Sequence, residues 1–183
     1  VGDFQVNLVK LVLYFLVMGI ITLPLLGYRV PAMAFIPYDF RLFLHELLAF
    51  IFFGHTTFSN IWAMRVRRSA DVEAGLMARA MLRVMALSIT LPTSVLVPFL
   101  GLTLVEESWG GLDVATWARD AYILFWVVWA LQIAPDSLRY AVDEKRTDPN
   151  AGVSNAAIRG IISTILVLLI IYLMVYKISI LPF

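Results

Sequence analysis

Charge in this chain is concentrated in short patches that separate five long, mostly apolar runs. Each run is about the length a helix needs to cross a bilayer, since a hydrocarbon core about 30 Å thick takes about 20 residues at about 1.5 Å of rise each. The runs cover residues 6–26, 42–64, 84–105, 117–134 and 158–180, and Arg, Lys, Asp, Gly or Pro bounds every one. Barrel strands would instead give segments of about ten residues that alternate in polarity. The chain is therefore expected to be all-α, a polytopic membrane protein in which one N-terminal helix precedes a four-helix bundle. Composition supports this: 61% of the 183 residues are hydrophobic and 15% charged, against about 45–50% and about 25% in a soluble domain. Mean hydropathy is +0.87, and a soluble monomer is excluded. The longest polar insert is about 25 residues, too short for an independently folding unit, so residues 1–183 are expected to form one membrane domain.

The charge count also limits the partners. Net charge is only +1 and the basic residues are dispersed, so the footprint of a nucleic-acid-binding protein is missing and the main partner is the lipid bilayer. There are no cysteines, which excludes disulfides, thiolate metal sites and cysteine nucleophiles. The first run lacks a small-residue cleavage site and the chain opens with Val, which predicts a retained helix in a processed or trimmed chain.

Basic loops stay on the cytoplasmic side of a membrane. With five spans and the N-terminus inside, Lys10, Arg65, Arg67, Arg68, Arg79, Arg83, Arg139, Lys145, Arg146 and Arg159 fall on one side and Arg29, Arg41, Arg119 and Lys177 on the other. That bias predicts a cytoplasmic N-terminus and a C-terminus on the outer side of the membrane. Trp109 and Trp117 flank an acidic outer loop at 106–113, where aromatic side chains anchor a span at the interface. Residues 143–150 carry no apolar pattern and read as a solvated connector. Internal repeats, the usual mark of a secondary transporter, are missing.

An ionisable side chain inside hydrocarbon is a functional candidate because its burial is costly. The second run carries both histidines, His45 and His55, with Arg41 and Glu46 beside the first and Thr56, Thr57, Ser59 and Asn60 beside the second. Ten residues place the histidines about 15 Å apart along the axis and roughly 80° apart around it, so they cannot share one metal. His45, about one turn below the outer surface, is the candidate axial ligand of a b-type heme. Arg41, one turn away on the same face, would meet the propionates, and Phe43, Phe50, Phe52 and Phe53 would wall the porphyrin. Glu46 could relay protons or orient His45, although adjacent residues diverge by about 100°. His55 could serve as a deeper ligand or hydrogen-bond between helices. The spacing of His45, Phe52, Thr56 and Ser59 traces one inward face.

Elsewhere, Pro92 and Pro98 free carbonyls near Ser88 and Ser94, and these must find partners in protein. Met77, Met81 and Met85 recur every four residues, but the interleaved Arg79 and Arg83 would repel copper(I). Nucleophile–base pairs, phosphate-binding glycine loops, carboxylate dyads and zinc-type histidine clusters are absent from the sequence.

Over residues 42–146 the chain resembles a bacterial family of predicted integral membrane proteins designated a domain of unknown function. The resemblance rests on His45, Phe53-Gly54, Trp62-Ala63-Met64-Arg65, Arg68-Ser69-Ala70-Asp71, Leu91-Pro92-Thr93, Gly101-Leu102-Thr103-Leu104 and Trp117. It departs where that family carries further glycines after Phe-Gly, since His55, Thr56 and Thr57 follow here. More loosely, an early histidine, an aromatic-Gly pair and a basic exit are similar to copper resistance protein D and to the membrane protoporphyrinogen oxidase that binds heme b. The second likeness implies that His45 is a heme ligand.

Two functions follow as expectations. One is a b-type heme bundle, with His45 as metal ligand, acting in or beside a membrane redox complex. The other is a structural or assembly subunit without a cofactor, in which the polar face of the second helix contacts other membrane subunits or a second copy.

Overall fold

The computed structural model of the chain describes residues 8–31, 33, 35–68, 71–142 and 153–181. Among them there are helices and turns but no strand. The helices are α1 (Leu8–Ile21), α2 (Tyr38–Arg68), α3 (Val72–Met85), α4 (Leu91–Trp109), α5 (Thr116–Val128), α6 (Ala134–Val142) and α7 (Val153–Tyr176). A π turn at Ala86–Thr90 joins α3 to α4, and a second at Trp129–Ile133 joins α5 to α6. Five segments are long and apolar enough to cross a membrane: Val9–Leu26, Tyr38–Val66, Val72–Trp109, Thr116–Arg139 and Ala157–Tyr176. The protein is an all-α polytopic membrane protein.

Several boundaries differ from the sequence expectation for local reasons. The third span begins at Val72 rather than residue 84 because Asp71 caps it, accepting a hydrogen bond from the Ala74 amide at 3.1 Å and satisfying an otherwise unpaired donor. The exposed Met77 and Met81 therefore stand on the outer face of α3. Helix α7 stops at Tyr176, before residue 180, because Lys177 adopts a left-handed φ of 55° and turns the chain back. The connector at 143–150, together with Ser69 and Ala70, lies outside the described residues.

Lipid is as apolar as leucine, so helices in a membrane associate through close packing and hydrogen bonds rather than water exclusion. Both appear here. Helix α5 packs most extensively on α7, and α2 on α4. Small residues let the backbones approach: Ala118 and Ala121 on α5 and Gly160 and Ser163 on α7 are buried. Helix α1, the N-terminal helix that precedes the other four spans, packs into the same core. Its Tyr14, Met18 and Ile21 pack with Phe52, Leu102, Tyr122, Phe125, Val128, Ile133 and Val167. Polar ties reinforce it. The Tyr14 hydroxyl lies 2.9 Å from Ser94 Oγ and accepts from Trp129 Nε1 at 2.9 Å, and the Tyr122 hydroxyl donates to the Ile21 carbonyl.

The ends of the bundle are chemically distinct. Arg29 pairs with Glu106 at 3.1 Å and Arg41 with Glu107, while Lys177 Nζ sits 4.3 Å from the Trp109 ring centroid. Trp109 and Trp117 meet edge to face at 5.5 Å. The opposite end carries Arg65, Arg68, Arg139 and Arg159.

Candidate functional site

Two places in the bundle gather polar side chains at membrane depth. The first is His45. Helix α2 directs its ring onto α4, where Nδ1 lies 2.9 Å from the Val97 carbonyl oxygen. Gly101 makes this approach possible, because a Cβ there would stand 2.9 Å from His45 Cε1. A carbonyl held by one ring nitrogen is how a metal-binding imidazole is commonly oriented, and the apolar cavity beside His45 includes Met174 on α7.

Its size decides what it can hold. The cavity measures about 70 Å³, whereas pockets for cofactor-sized ligands run to about 300–1,000 Å³. A porphyrin does not fit there with the helices packed as they are. The expected supporting residues also face elsewhere. Phe43 and Phe50 are 56% and 76% exposed on the outer face of α2, and Phe52 is buried in the core. The guanidinium of Arg41, buried beneath the surface, donates through Nε to the Ile36 carbonyl at 3.1 Å and pairs through Nη2 with Glu107, while Nη1 is buried without a hydrogen-bond partner among the described residues. Glu46 is exposed among Phe43, Leu47 and Phe50 and makes no hydrogen bond or ion pair among the described residues.

The second place lies at the arginine-rich half. His55, Thr56, Ser59 and Asn60 of α2 face Thr90 in the first π turn, Gln132 in the second and Asp136, Ser137 and Arg139 of α6 around a cavity of about 70 Å³. Both π turns of the described chain thus line one cavity. A π turn inserts one residue into the helix and rotates everything beyond it by about 100°, and such turns concentrate at functional sites. Pro92 helps to explain the first, because its missing amide falls where the helix resumes. Thr93 Oγ1 donates to the Ile89 carbonyl at 2.7 Å, so one of the local carbonyls is satisfied.

Some side chains around this cavity are occupied. Thr56 Oγ1 donates to the Phe52 carbonyl at 2.8 Å and Asn60 Nδ2 to the Thr56 carbonyl at 2.8 Å. Asn60 is pressed against Gly160, where a Cβ would meet Nδ2 at 2.6 Å, so glycine is what admits the amide between α2 and α7. Asp136, which lines the cavity, pairs with Arg159 at 3.1 Å. Three side chains have no partner among the described residues: His55, whose buried Nδ1 is unbonded, Thr90 and Gln132.

The structure therefore separates the sequence candidates. His45 and Arg41 lie toward the acidic end, Glu46 faces outward, and His55 belongs to the other cavity. Among the described residues no three His, Asp or Glu side chains form a metal-binding group. Sequence reading missed Thr90, Gln132 and Asp120. A lone amide in a tryptophan-rich span was a usable signal for Gln132, and a carboxylate in the first turns of a span was one for Asp120. The chain matches no family model, no curated protein and no solved structure.

Proposed function

We propose that the protein is a non-catalytic subunit of a larger bacterial inner-membrane complex, its N-terminus cytoplasmic and its C-terminus periplasmic. The observation that carries this reading is Glu46. Glu46 lies about 7.5 Å along α2 from Arg41 by helical rise, exposed and without a hydrogen bond or ion pair among the described residues, on a face otherwise built from Phe43, Leu47 and Phe50. A carboxyl group left in lipid costs several kcal/mol, and a helix from another chain that presents a donor at the same depth removes that cost. A second copy is the poorer fit, because a two-fold contact sets the patch against itself and the patch offers no cation.

The test is native mass spectrometry from membrane vesicles. The parent chain is expected to travel with a different polypeptide, and Glu46→Leu is expected to weaken that association by about threefold to thirtyfold, the equivalent of about 0.6–2 kcal/mol for one interhelical hydrogen bond. A parent that is monomeric or only self-associated overturns the reading.

The orientation rests on the sorting of basic residues. A reporter fused after Phe183 is expected to be active only outside the cytoplasm, and activity confined to the cytoplasm reverses the topology.

A further inference from the structure

Burying a hydrogen-bonding group without a partner costs about 1–3 kcal/mol; the cavity at the arginine-rich half holds one such buried atom, His55 Nδ1, beside two more side chains that have no hydrogen-bond partner among the described residues, Gln132 and the half-buried Thr90. Gln132 is only 9% exposed and its amide has no partner among the described residues. Thr90 and His55 are likewise unbonded through their side chains. They arrive from three different elements, the two π turns and α2. Thr93, Ser94 and Thr56 nearby are instead satisfied by carbonyls of their own helices. Three unsatisfied side chains converging on one space imply a guest.

The size and chemistry of that space select the guest. A volume of about 70 Å³ accommodates roughly two molecules at the liquid share of about 30 Å³ per water. An amide, a hydroxyl and a neutral imidazole each both donate and accept hydrogen bonds, which suits water, whose own bonding is equally two-sided. Charged groups stand beside the cavity. Asp136 and Arg159, paired at 3.1 Å, keep 22% and 30% of their side-chain surface exposed, and Arg139 lies at the end of the span.

We propose that this cavity is a water site continuous with the aqueous phase at the arginine-rich end, and that His55 exchanges protons with that phase through it. A hydronium entering the cavity gives its proton to the imidazole and leaves a water molecule behind. The imidazolium then lies in a space that the Asp136 carboxylate also lines. Among the described residues the charged groups that line the cavity with His55 are Asp136 and Arg139 of α6, with Arg159 of α7 bound to the former; α3 contributes the apolar Leu82. His45 is the internal control. It has the same ring nearer the opposite end of α2, held against the Val97 carbonyl and Gly101 beside an apolar cavity.

Exchange of the imidazole Cε1 hydrogen with deuterium requires water and passes through the protonated ring, so it reads the proposal directly. The full chain in lipid nanodiscs is incubated in D₂O across a pH series and the two histidine-bearing peptides are separated by mass spectrometry. His55 is expected to exchange faster than His45 by about tenfold or more, the protection that about 1.4 kcal/mol of opening free energy confers, and to follow a titration curve. The double replacement of Thr90→Val and Gln132→Leu removes two water partners and is expected to slow His55 to the rate of His45 while helicity is retained. Equal exchange of the two histidines in the parent overturns the proposal, as does unchanged exchange of His55 in a folded double variant. If the double variant loses helicity, the parent ratio of the two histidines alone decides.

Discussion

Replacement of Asp120 by alanine is expected to release the end of the chain and to cause the largest loss of stability of any single substitution at a polar site. Asp120 is fully buried near the start of α5. Its Oδ2 accepts hydrogen bonds from Ser179 Oγ at 2.7 Å, the Ile180 amide at 2.7 Å and the Leu181 amide at 3.0 Å. The left-handed turn at Lys177 brings those donors back over α5. Hydrogen bonds to a charged acceptor contribute about 1.5–3 kcal/mol each, but the released amides regain water at the membrane surface, so the net loss is about 3 kcal/mol. For a chain of this size that lowers the melting temperature by about 6–12 °C. Asp120→Asn keeps one carbonyl acceptor and should recover about half of the loss. Circular dichroism in detergent measures the shift, and amide exchange at Ile180 and Leu181 locates it. Unaltered protection of those two amides in Asp120→Ala would sink the assignment.

The second large effect is expected at Arg41. Its side chain is 1% exposed and serves two acceptors, the Ile36 carbonyl and Glu107, with its guanidinium carbon 6.0 Å from the centroid of the Tyr38 ring. Arg41→Met keeps the apolar stem and removes every donor. Breaking a fully buried ion pair costs about 3–5 kcal/mol, but Glu107 is 37% exposed and recovers hydration, which brings the cost to about 2 kcal/mol and the melting shift to about 4–8 °C. Arg41→Lys should restore only part of this, because an ammonium lacks the planar fork that reaches both acceptors. If Arg41→Met melts with the parent, the pair between α2 and α4 is not what secures this end of the bundle.

The five spans and the sorting of charges to two ends were legible in the sequence. A helix in hydrocarbon has a required length and a large penalty for charge, and both leave marks that need no knowledge of neighbours. The same logic singled out α2, since His45, His55 and their polar companions could not all face lipid. It also misplaced Arg41. Spacing alone puts Arg41 on the face of His45, but the acceptors that use its donors come from Ile36 and from Glu107, 66 residues away.

What tertiary structure alone decided is which residues meet. In a soluble protein the buried stripe of a helix is apolar and the exposed face polar, so periodicity reports the interior. Here the surroundings are as apolar as the core. Phe50 is 76% exposed and Phe52 only 5%, with nothing in their chemistry to separate them. The π turns were hidden for the same reason, since one inserted residue shifts an apolar register without breaking any pattern. Those turns bring Thr90 and Gln132 to the cavity of His55, while Gly101 and Gly160 set how closely α2 approaches α4 and α7. Length and charge are properties of single segments and were written in the sequence, whereas rotation about each helix axis depends on packing between helices and took shape only in the assembled bundle.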